Sequence, residues 1–172
     1  VREVLRYPSV EQVTLVELVP RLLPLEDEEI SQMMERELKK RGVDIRTGVT
    51  VDQIVRQPEI VTAHLRDGLS LNVEQGLVSV GRGFNSRGIG LEKAGVQVGT
   101  RGEIVVNERM ETNVPGVYAI GDVVGKAMLA HVASAQGKVA VENFMGRPRT
   151  IDYDVIPTGI FTLPEIGRVG LT

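Results

Sequence analysis

The chain has 172 residues, of which 42% are hydrophobic and 25% are charged, a composition typical of a soluble globular protein. A net charge of −3 gives no cationic footprint for nucleic acid, and no apolar run approaches the roughly 18 residues of a membrane span. Cysteine is absent and two histidines occur, so these residues cannot build a disulfide framework or a zinc–thiolate site. We therefore expect no nucleic acid partner, no membrane partner and no metal.

The two ends of the chain do not resemble natural termini. It begins at Val1 without a methionine, and it stops at Thr172 in what reads as the middle of a strand. We therefore interpret the sequence as a central fragment of a longer protein. No signal sequence opens it, so a cytoplasmic location is the expectation.

The first predicted elements are the end of a helix, a strand and a complete helix. Arg2–Tyr7 reads as a helix end, and the β-branched segment 12–17 as a buried parallel strand. In segment 26–43 acids occupy the first turn, bases occupy the last, and Gly42 supplies a stop. Apolar residues at helical spacing complete the amphipathic pattern: Ile30, Met33, Met34 and Leu38.

After this helix the hydrophobic period changes to two residues, which predicts a run of short strands. Asp67-Gly68 supplies a hairpin turn within the run. The four strands are expected at 43–48, 50–56, 60–66 and 69–73.

The second half of the chain is predicted to alternate strands and helices. Segment 76–83 reads as a buried strand and Ile89–Gly95 as a short helical turn. A long helix is expected from Leu129 to Met145, followed by a linker over 147–154 and then new β structure. Two further strands are expected at 103–106 and 117–120, and the inward residues of the long helix at Leu129, Val132, Ala133, Val139, Ala140 and Phe144. The whole pattern predicts an α/β fold with a parallel sheet and an antiparallel meander.

Residues 112–125 read TNVPGVYAIGDVVG and place Asp122 after an apolar strand and a glycine. One interpretation is a buried strand ending in a tight turn, with Asp122 capping the next helix. The other is that Asp122 lies at the carboxyl end of a parallel strand, where α/β folds bind ligands. A carboxylate there can bind ribose or ribitol hydroxyls. Free N–H groups near Met128, Leu129 and Ala130 can stabilise negative charge on a bound ring.

A second candidate acid, Glu17, ends the first predicted strand. An acid at this place can accept hydrogen bonds from both hydroxyls of an adenosine ribose, which favours NAD over NADP. The alternative is an exposed glutamate at a strand end. The glycine fingerprint of a dinucleotide site precedes this acid by about 20 residues. The first sixteen residues contain no glycine, so we expect that loop to lie upstream of Val1.

Other polar residues are interpreted as structural. His131 could act as a general base but is expected to be a satisfied histidine near a helix start. His64 is expected on a solvated strand face, Arg21 in an exposed loop, and Lys39–Arg41 at a solvated helix end.

The segment around Asp122 resembles the second FAD-binding motif of the flavin-dependent pyridine nucleotide-disulfide oxidoreductases. The matching residues are Thr112, Tyr118, Ala119, Gly121 and Asp122. The flanking segments resemble the dihydrolipoyl dehydrogenases of this family in particular, from about residue 12 to the end. The resemblance implies a Rossmann-like FAD/NAD(P)-binding fold in partial domains.

The resemblance also implies a role for each matching residue. Gly121 and Asp122 would bind the FAD ribitol, and the backbone of Met128, Leu129 and Ala130 would meet the flavin pyrimidine edge.

For the second cofactor, Glu17 would select NAD, with Gly81 and Arg82 close to the bound nucleotide. The implied domains are an NAD-binding domain (1–95) without its first strand and glycine loop, the second half of the FAD domain (96–148), and the start of a dimerisation domain (149–172).

In the dihydrolipoyl dehydrogenases, dihydrolipoamide reduces the disulfide of a cysteine pair, and the electrons then pass through FAD to NAD⁺. The cysteine pair lies upstream and the His-Glu base downstream of the matching region, so the chain is expected to contain no catalytic residue, to be inactive alone and to bind FAD poorly. The implied partners are a second subunit in a homodimer and the lipoyl domain of a 2-oxoacid dehydrogenase or glycine cleavage complex.

Several alternatives stay open. A mercuric reductase or a flavin NADH oxidase would share the FAD motif, and a nucleotide-binding or regulatory module would share the fold without turnover. The first 18 residues are closer to the nucleotide-binding segment of spermidine synthases, which suggests an aminopropyltransferase as a third alternative.

Overall fold

The computed structural model describes residues 10–170, and these divide into two compact units. The first unit comprises residues 10–79 with 160–166, and the second comprises residues 80–159 with 167–170. Segment 80–95 lies with the second unit, where Leu91 packs on a cluster that contains Ile104 and Val124. The domain boundary that the sequence suggests at residue 95 stays a prediction. The helix end expected at Arg2–Tyr7 lies outside the described residues.

The first unit begins with a parallel pair of strands and the helix that connects them. Strand β1 (Val13–Glu17) runs parallel to β2 (Val43–Thr47). Helix α1 (Glu28–Lys40) lies between them in the chain, as a parallel pair requires. Its acidic first turn and basic last turn complement the helix dipole. The predicted strand and helix are both confirmed.

The two faces of α1 have the character that the sequence predicts. Its inward face contributes to a core of buried apolar residues, namely Leu22, Met34, Leu38, Val43 and Ile166. At its solvated end, Lys39 pairs with Glu35 at 2.6 Å and Lys40 pairs with Glu37 at 2.7 Å. The hydrogen bond from Lys40 lowers the pKa of Glu37.

An antiparallel meander completes the predicted strands of the first unit. It contains β3 (Val51–Arg56), β4 (Val61–Leu65) and β5 (Ser70–Val73), in that order. The hairpin at Asp67-Gly68 is confirmed, with the Gly68 N–H donating to the Leu65 carbonyl at 3.0 Å.

Segment 76–83 does not form the predicted buried strand. It has no regular hydrogen-bonded structure, and its aliphatic side chains are exposed: Leu77 by 80%, Val78 by 60% and Val80 by 93%. The prediction is wrong because a strand needs a ladder partner, and this segment has none among residues 10–170.

The second unit contains short helices, one long helix and few strands. The predicted helical turn is confirmed as α2 (Leu91–Ala94), and a 3-10 helix covers Gly121–Val124. The strands predicted at 103–106 and 117–120 are wrong, because each segment makes a single bridge rather than a ladder. Ile104 bridges Val98, and Tyr118 bridges Glu111.

The long helix is confirmed as α3 (Ala130–Phe144), with Gly146 just beyond it at φ +75°. Val132, Val139 and Ala140 are buried as predicted. The prediction for Phe144 is wrong, since 68% of its surface is exposed. Its ring contacts the Tyr118 ring edge-on, with 6.4 Å between the ring centroids.

After the predicted linker, β6 (Thr158–Ile160) pairs with β7 (Ile166–Arg168), which confirms new β structure. Among the helices of residues 10–170, none is both long enough and apolar enough to cross a membrane.

Candidate functional site

Asp122 lies in a turn whose shape is set by the residues before it. Thr112 closes the preceding loop, since its hydroxyl donates to the Val117 carbonyl at 2.9 Å and accepts from the Val114 N–H at 3.1 Å. The chain is extended at Ile120 and then reverses at Gly121, where φ is +76°. Such a φ favours glycine. The carboxylate of Asp122 therefore follows an apolar extended segment, as the sequence predicts.

The Asp122 side chain caps neither of the neighbouring helices. The 3-10 helix over Gly121–Val124 and helix α3 both lack a side-chain cap. The capping interpretation is therefore wrong, and the side chain of Asp122 is 51% exposed. A half-exposed carboxylate at this turn can accept hydrogen bonds from a ligand.

Arg82 is the cation beside this carboxylate. Its Nη1 lies 3.5 Å from Oδ2 of Asp122, and its side chain is 76% exposed. The preceding Gly81 has φ +110°. Arg82, which the sequence places near NAD, therefore pairs in the structure with the acid expected to bind FAD. A solvent-exposed pair of this kind contributes little to stability, so a ligand can displace it at low cost.

Helix α3 begins without a side-chain cap from any of the residues that the structure describes. Its N-cap residue, Leu129, is extended at φ −128° and ψ 137° and makes no capping hydrogen bond. The Leu129 carbonyl instead accepts the first helical bond, from Ala133 at 3.0 Å. The positive end of the helix dipole is therefore open to negative charge. The Leu129 N–H donates to the Ala127 carbonyl at 3.0 Å, so only the N–H groups of Met128 and Ala130 fit the role that the sequence predicts for Met128, Leu129 and Ala130.

A cavity of about 340 Å³ opens beside this helix start. Lys126 and Ala127 line one part of it, and Tyr153, Ile156 and Thr158 line another. The segment before α3 is thus accessible from solvent.

His131, in the first turn of α3, has a structural partner. Its Nε2 lies 2.8 Å from the carbonyl oxygen of Pro157, a separation at which the ring nitrogen donates. The predicted role of a satisfied histidine is confirmed. His64 likewise pairs with a neighbour, with its Nδ1 2.9 Å from the Ser70 hydroxyl on the adjacent strand.

Glu17, the acid of the first unit, is the last residue of β1. Its Oε1 accepts a hydrogen bond from the Val19 N–H at 3.1 Å, which fixes the side chain beside the turn that follows the strand. Its backbone carbonyl accepts from Val49 at 3.0 Å. The carboxylate is thus held at the carboxyl end of a parallel strand, the edge at which α/β sheets bind nucleotides.

Arg21 is not the exposed loop residue that the sequence predicts. Its guanidinium donates to the Ser31 hydroxyl at 3.1 Å and to the Pro24 carbonyl at 2.8 Å. These bonds hold it against the start of α1, where it is half-buried. The prediction is wrong because the loop folds back over Ser31.

Two residues beside the candidate site were not apparent in the sequence. Gln136 is fully buried, and its amide joins the Gly121 N–H to the Tyr153 hydroxyl. The only sequence signal is a polar residue among the small apolar ones of α3.

Within residues 10–170 no group of three or more His, Cys, Asp or Glu side chains could hold a metal ion.

Parallel strands joined by a helix, with acids where an extended segment ends, are typical of dinucleotide-binding α/β proteins. The sequence profile of the pyridine nucleotide-disulphide oxidoreductase family matches residues 5–137. The chain belongs to this family.

Relatives and solved structures extend this result. The chain is 41% identical to dihydrolipoyl dehydrogenase of Chlamydia pneumoniae and 42% identical to that of Bacillus subtilis, in each case over 94% of its length and 35% of the relative's. It is similar to LpdA of Mycobacterium tuberculosis with a TM-score of 0.87 at 30% identity, over 93% of this chain and 35% of that one.

A second solved structure is the HOCl-induced flavoprotein disulfide reductase RclA of Escherichia coli in a Cu(II) complex. It matches 94% of this chain and 37% of its own, with a TM-score of 0.84 at 28% identity. The chain thus spans about 35% of the length of the curated relatives it matches. These likenesses confirm the predicted α/β fold of the FAD- and NAD-dependent disulfide reductases.

Proposed function

We propose that the chain provides FAD and NAD contacts in a dihydrolipoyl dehydrogenase. The observation that carries the proposal is the half-exposed carboxylate of Asp122, which follows an extended segment and precedes a helix with an uncapped N-terminus. Identity of about 41% to dihydrolipoyl dehydrogenases along nearly the whole chain supports the particular reaction.

The residues around Asp122 fit a flavin dinucleotide. Asp122 would accept hydrogen bonds from ribitol hydroxyls, and Gly121 would give the turn its direction. The N–H groups near Met128, Leu129 and Ala130 would stabilise negative charge at the edge of the ring. When bound, FAD supplies two-electron transfer between a dithiol and NAD⁺.

The end of β1 fits an adenosine ribose. The carboxylate of Glu17 is fixed by the Val19 N–H, and its second oxygen would accept from a ribose hydroxyl. A 2′-phosphate would meet this negative charge, so the site would favour NAD over NADP. The family resemblance also assigns Gly81 and Arg82 to the bound NAD, whereas in the structure Arg82 pairs with Asp122.

In this proposal residues 1–95 belong to an NAD-binding domain, residues 96–148 to an FAD-binding domain and residues 149–172 to a dimerisation domain. The overall reaction is dihydrolipoamide + NAD⁺ → lipoamide + NADH + H⁺. The chain contains no cysteine, so the dithiol must come from outside these 172 residues. The proposed setting is a cytoplasmic homodimer that accepts the lipoyl domain of a 2-oxoacid dehydrogenase or glycine cleavage complex.

The protein expressed from its complete reading frame is expected to be yellow and to reduce NAD⁺ with dihydrolipoamide. Absorbance at the flavin bands and NADH formation measure the two properties. A colourless protein contradicts the FAD proposal. A yellow protein that oxidises NADH with oxygen, but does not turn over dihydrolipoamide, contradicts the dehydrogenase proposal and leaves FAD binding intact.

The substitution Glu17→Gln tests the nucleotide preference. Glutamine retains the oxygen that accepts from Val19 but removes the negative charge, so the preference for NAD⁺ over NADP⁺ is expected to fall by about tenfold. The measurement is the ratio of kcat/KM for the two nucleotides. Glu11→Gln, at an exposed position two residues before the same strand, is the control and should leave the ratio unchanged. If Glu17→Gln and the unchanged protein have the same NAD⁺-to-NADP⁺ ratio of kcat/KM, Glu17 does not contact the nucleotide.

A further inference from the structure

Gln136 is a buried amide whose two ends both contact residues beside the candidate site. It lies on α3 and has no exposed surface. Its Oε1 accepts a hydrogen bond from the Gly121 N–H at 2.6 Å, and its Nε2 donates to the Tyr153 hydroxyl at 2.9 Å. A buried amide with both ends satisfied has a single preferred orientation.

Small residues on α3 allow the chain around Gly121 to come this close. A Cβ atom placed on Gly121 would lie 3.6 Å from the Cβ of Ala133, and one placed on Gly137 would lie 3.5 Å from the Cδ1 of Ile120. Ala133, Gln136 and Gly137 share one face of the helix, because residues three and four apart are neighbours. The turn therefore rests on α3 with the amide of Gln136 against its backbone.

We propose that Gln136 is a positioning residue that sets the direction of the Asp122 carboxylate. The peptide N–H that it binds belongs to Gly121, the residue before Asp122, and glycine alone would let this peptide rotate. Fixing that N–H at 2.6 Å fixes the turn from which the acid projects. Tyr153 holds the other end of the amide, so residues of the linker and of α3 together orient the site. This inference rests on the proposed role of Asp122 in FAD binding.

Three variants of Gln136 and Tyr153 separate positioning from simple packing. Gln136→Leu keeps the volume but leaves the Gly121 N–H without its acceptor, so FAD affinity is expected to fall about tenfold. Gln136→Glu can bind both partners in either protonation state and should stay within about threefold of the unchanged protein. Tyr153→Phe removes one end only and should cost about threefold.

The decisive measurement is the FAD dissociation constant of the full-length protein, by titrating the flavin-free form and following flavin fluorescence. If Gln136 acts through Asp122, then Gln136→Leu should have little effect in an Asp122→Asn background, which is a non-additive result. The inference is overturned if Gln136→Leu lowers FAD affinity tenfold both in the unchanged protein and in the Asp122→Asn variant, or if it lowers FAD affinity in neither. If Asp122→Asn alone leaves FAD affinity unchanged, the proposed function itself fails.

Thermal unfolding of the flavin-free variants controls for packing. If Gln136 has a positioning role, both Gln136→Leu and Gln136→Glu should remain folded. FAD affinity should then be lowered in Gln136→Leu and close to that of the unchanged protein in Gln136→Glu. Should Gln136→Leu not fold, the other two variants decide, and unchanged FAD affinity in Tyr153→Phe then overturns the inference.

Discussion

The substitution Asp122→Asn is expected to weaken FAD binding by between about tenfold and a hundredfold. Hydrogen bonds to a charged group contribute about 1.5–3 kcal/mol, and asparagine retains the shape while losing the charge and one acceptor oxygen. Because the side chain is 51% exposed and caps neither neighbouring helix, the folded structure should tolerate the change. The measurement is the FAD dissociation constant, with the free energy of unfolding of the flavin-free protein beside it.

Two further variants distinguish this role from other effects of the charge. Arg82→Gln also removes the ion pair at 3.5 Å but retains the carboxylate, so it should leave FAD affinity within about threefold. Asp154→Asn changes another exposed acid of the same unit and should have no effect. Equal losses in Asp122→Asn and Arg82→Gln would show that the ion pair, rather than the carboxylate, matters.

The substitution Met34→Ala is expected to destabilise the first unit by about 2–5 kcal/mol. Met34 is 1% exposed and packs with Leu22, Leu38 and Val43, so alanine leaves a cavity that the surrounding side chains fill only in part. Hydrogen exchange of the amides of α1 reports the change, alongside urea unfolding of the complete protein.

Met33→Ala is the matched control because it removes the same atoms from the neighbouring position. Met33 is half-buried and belongs to no core cluster of the described residues, so its loss should cost about 1 kcal/mol or less. If the two substitutions destabilise the protein equally, the packing described for α1 is wrong.

The sequence predicts elements well where the signal is local. The charges and spacing around Met34 define α1, and Asp67-Gly68 defines a hairpin, because helices and tight turns depend on residues close in the chain. The extended segments 103–106 and 117–120 show the limit. Their apolar residues predict strands, but a ladder depends on distant partners, and each segment finds a single bridge.

The candidate site shows the same contrast between local sequence signals and contacts of residues distant in the chain. The motif around Asp122 is continuous in sequence and therefore visible, and so is the strand-end position of Glu17. Gln136 acts on Gly121 across fifteen positions, and its partner Tyr153 lies seventeen positions further on. Helical spacing from Val132 and Ala133 places position 136 on the inward face, but the polarity of a glutamine side chain predicts exposure, and the structure buries it. Phe144 is the reverse case, an apolar residue of α3 that the fold leaves at the surface.

Segment 76–83, which follows the meander and forms no strand, affects how these 172 residues behave by themselves. Its backbone amides and carbonyls have no sheet to join among residues 10–170, and its aliphatic side chains face water. Like the edge of a sheet, such a stretch offers unpaired backbone groups with which a strand of another molecule can pair. A polypeptide limited to this sequence is therefore prone to self-association at high concentration, which is a further reason to measure cofactor affinity on the full-length protein.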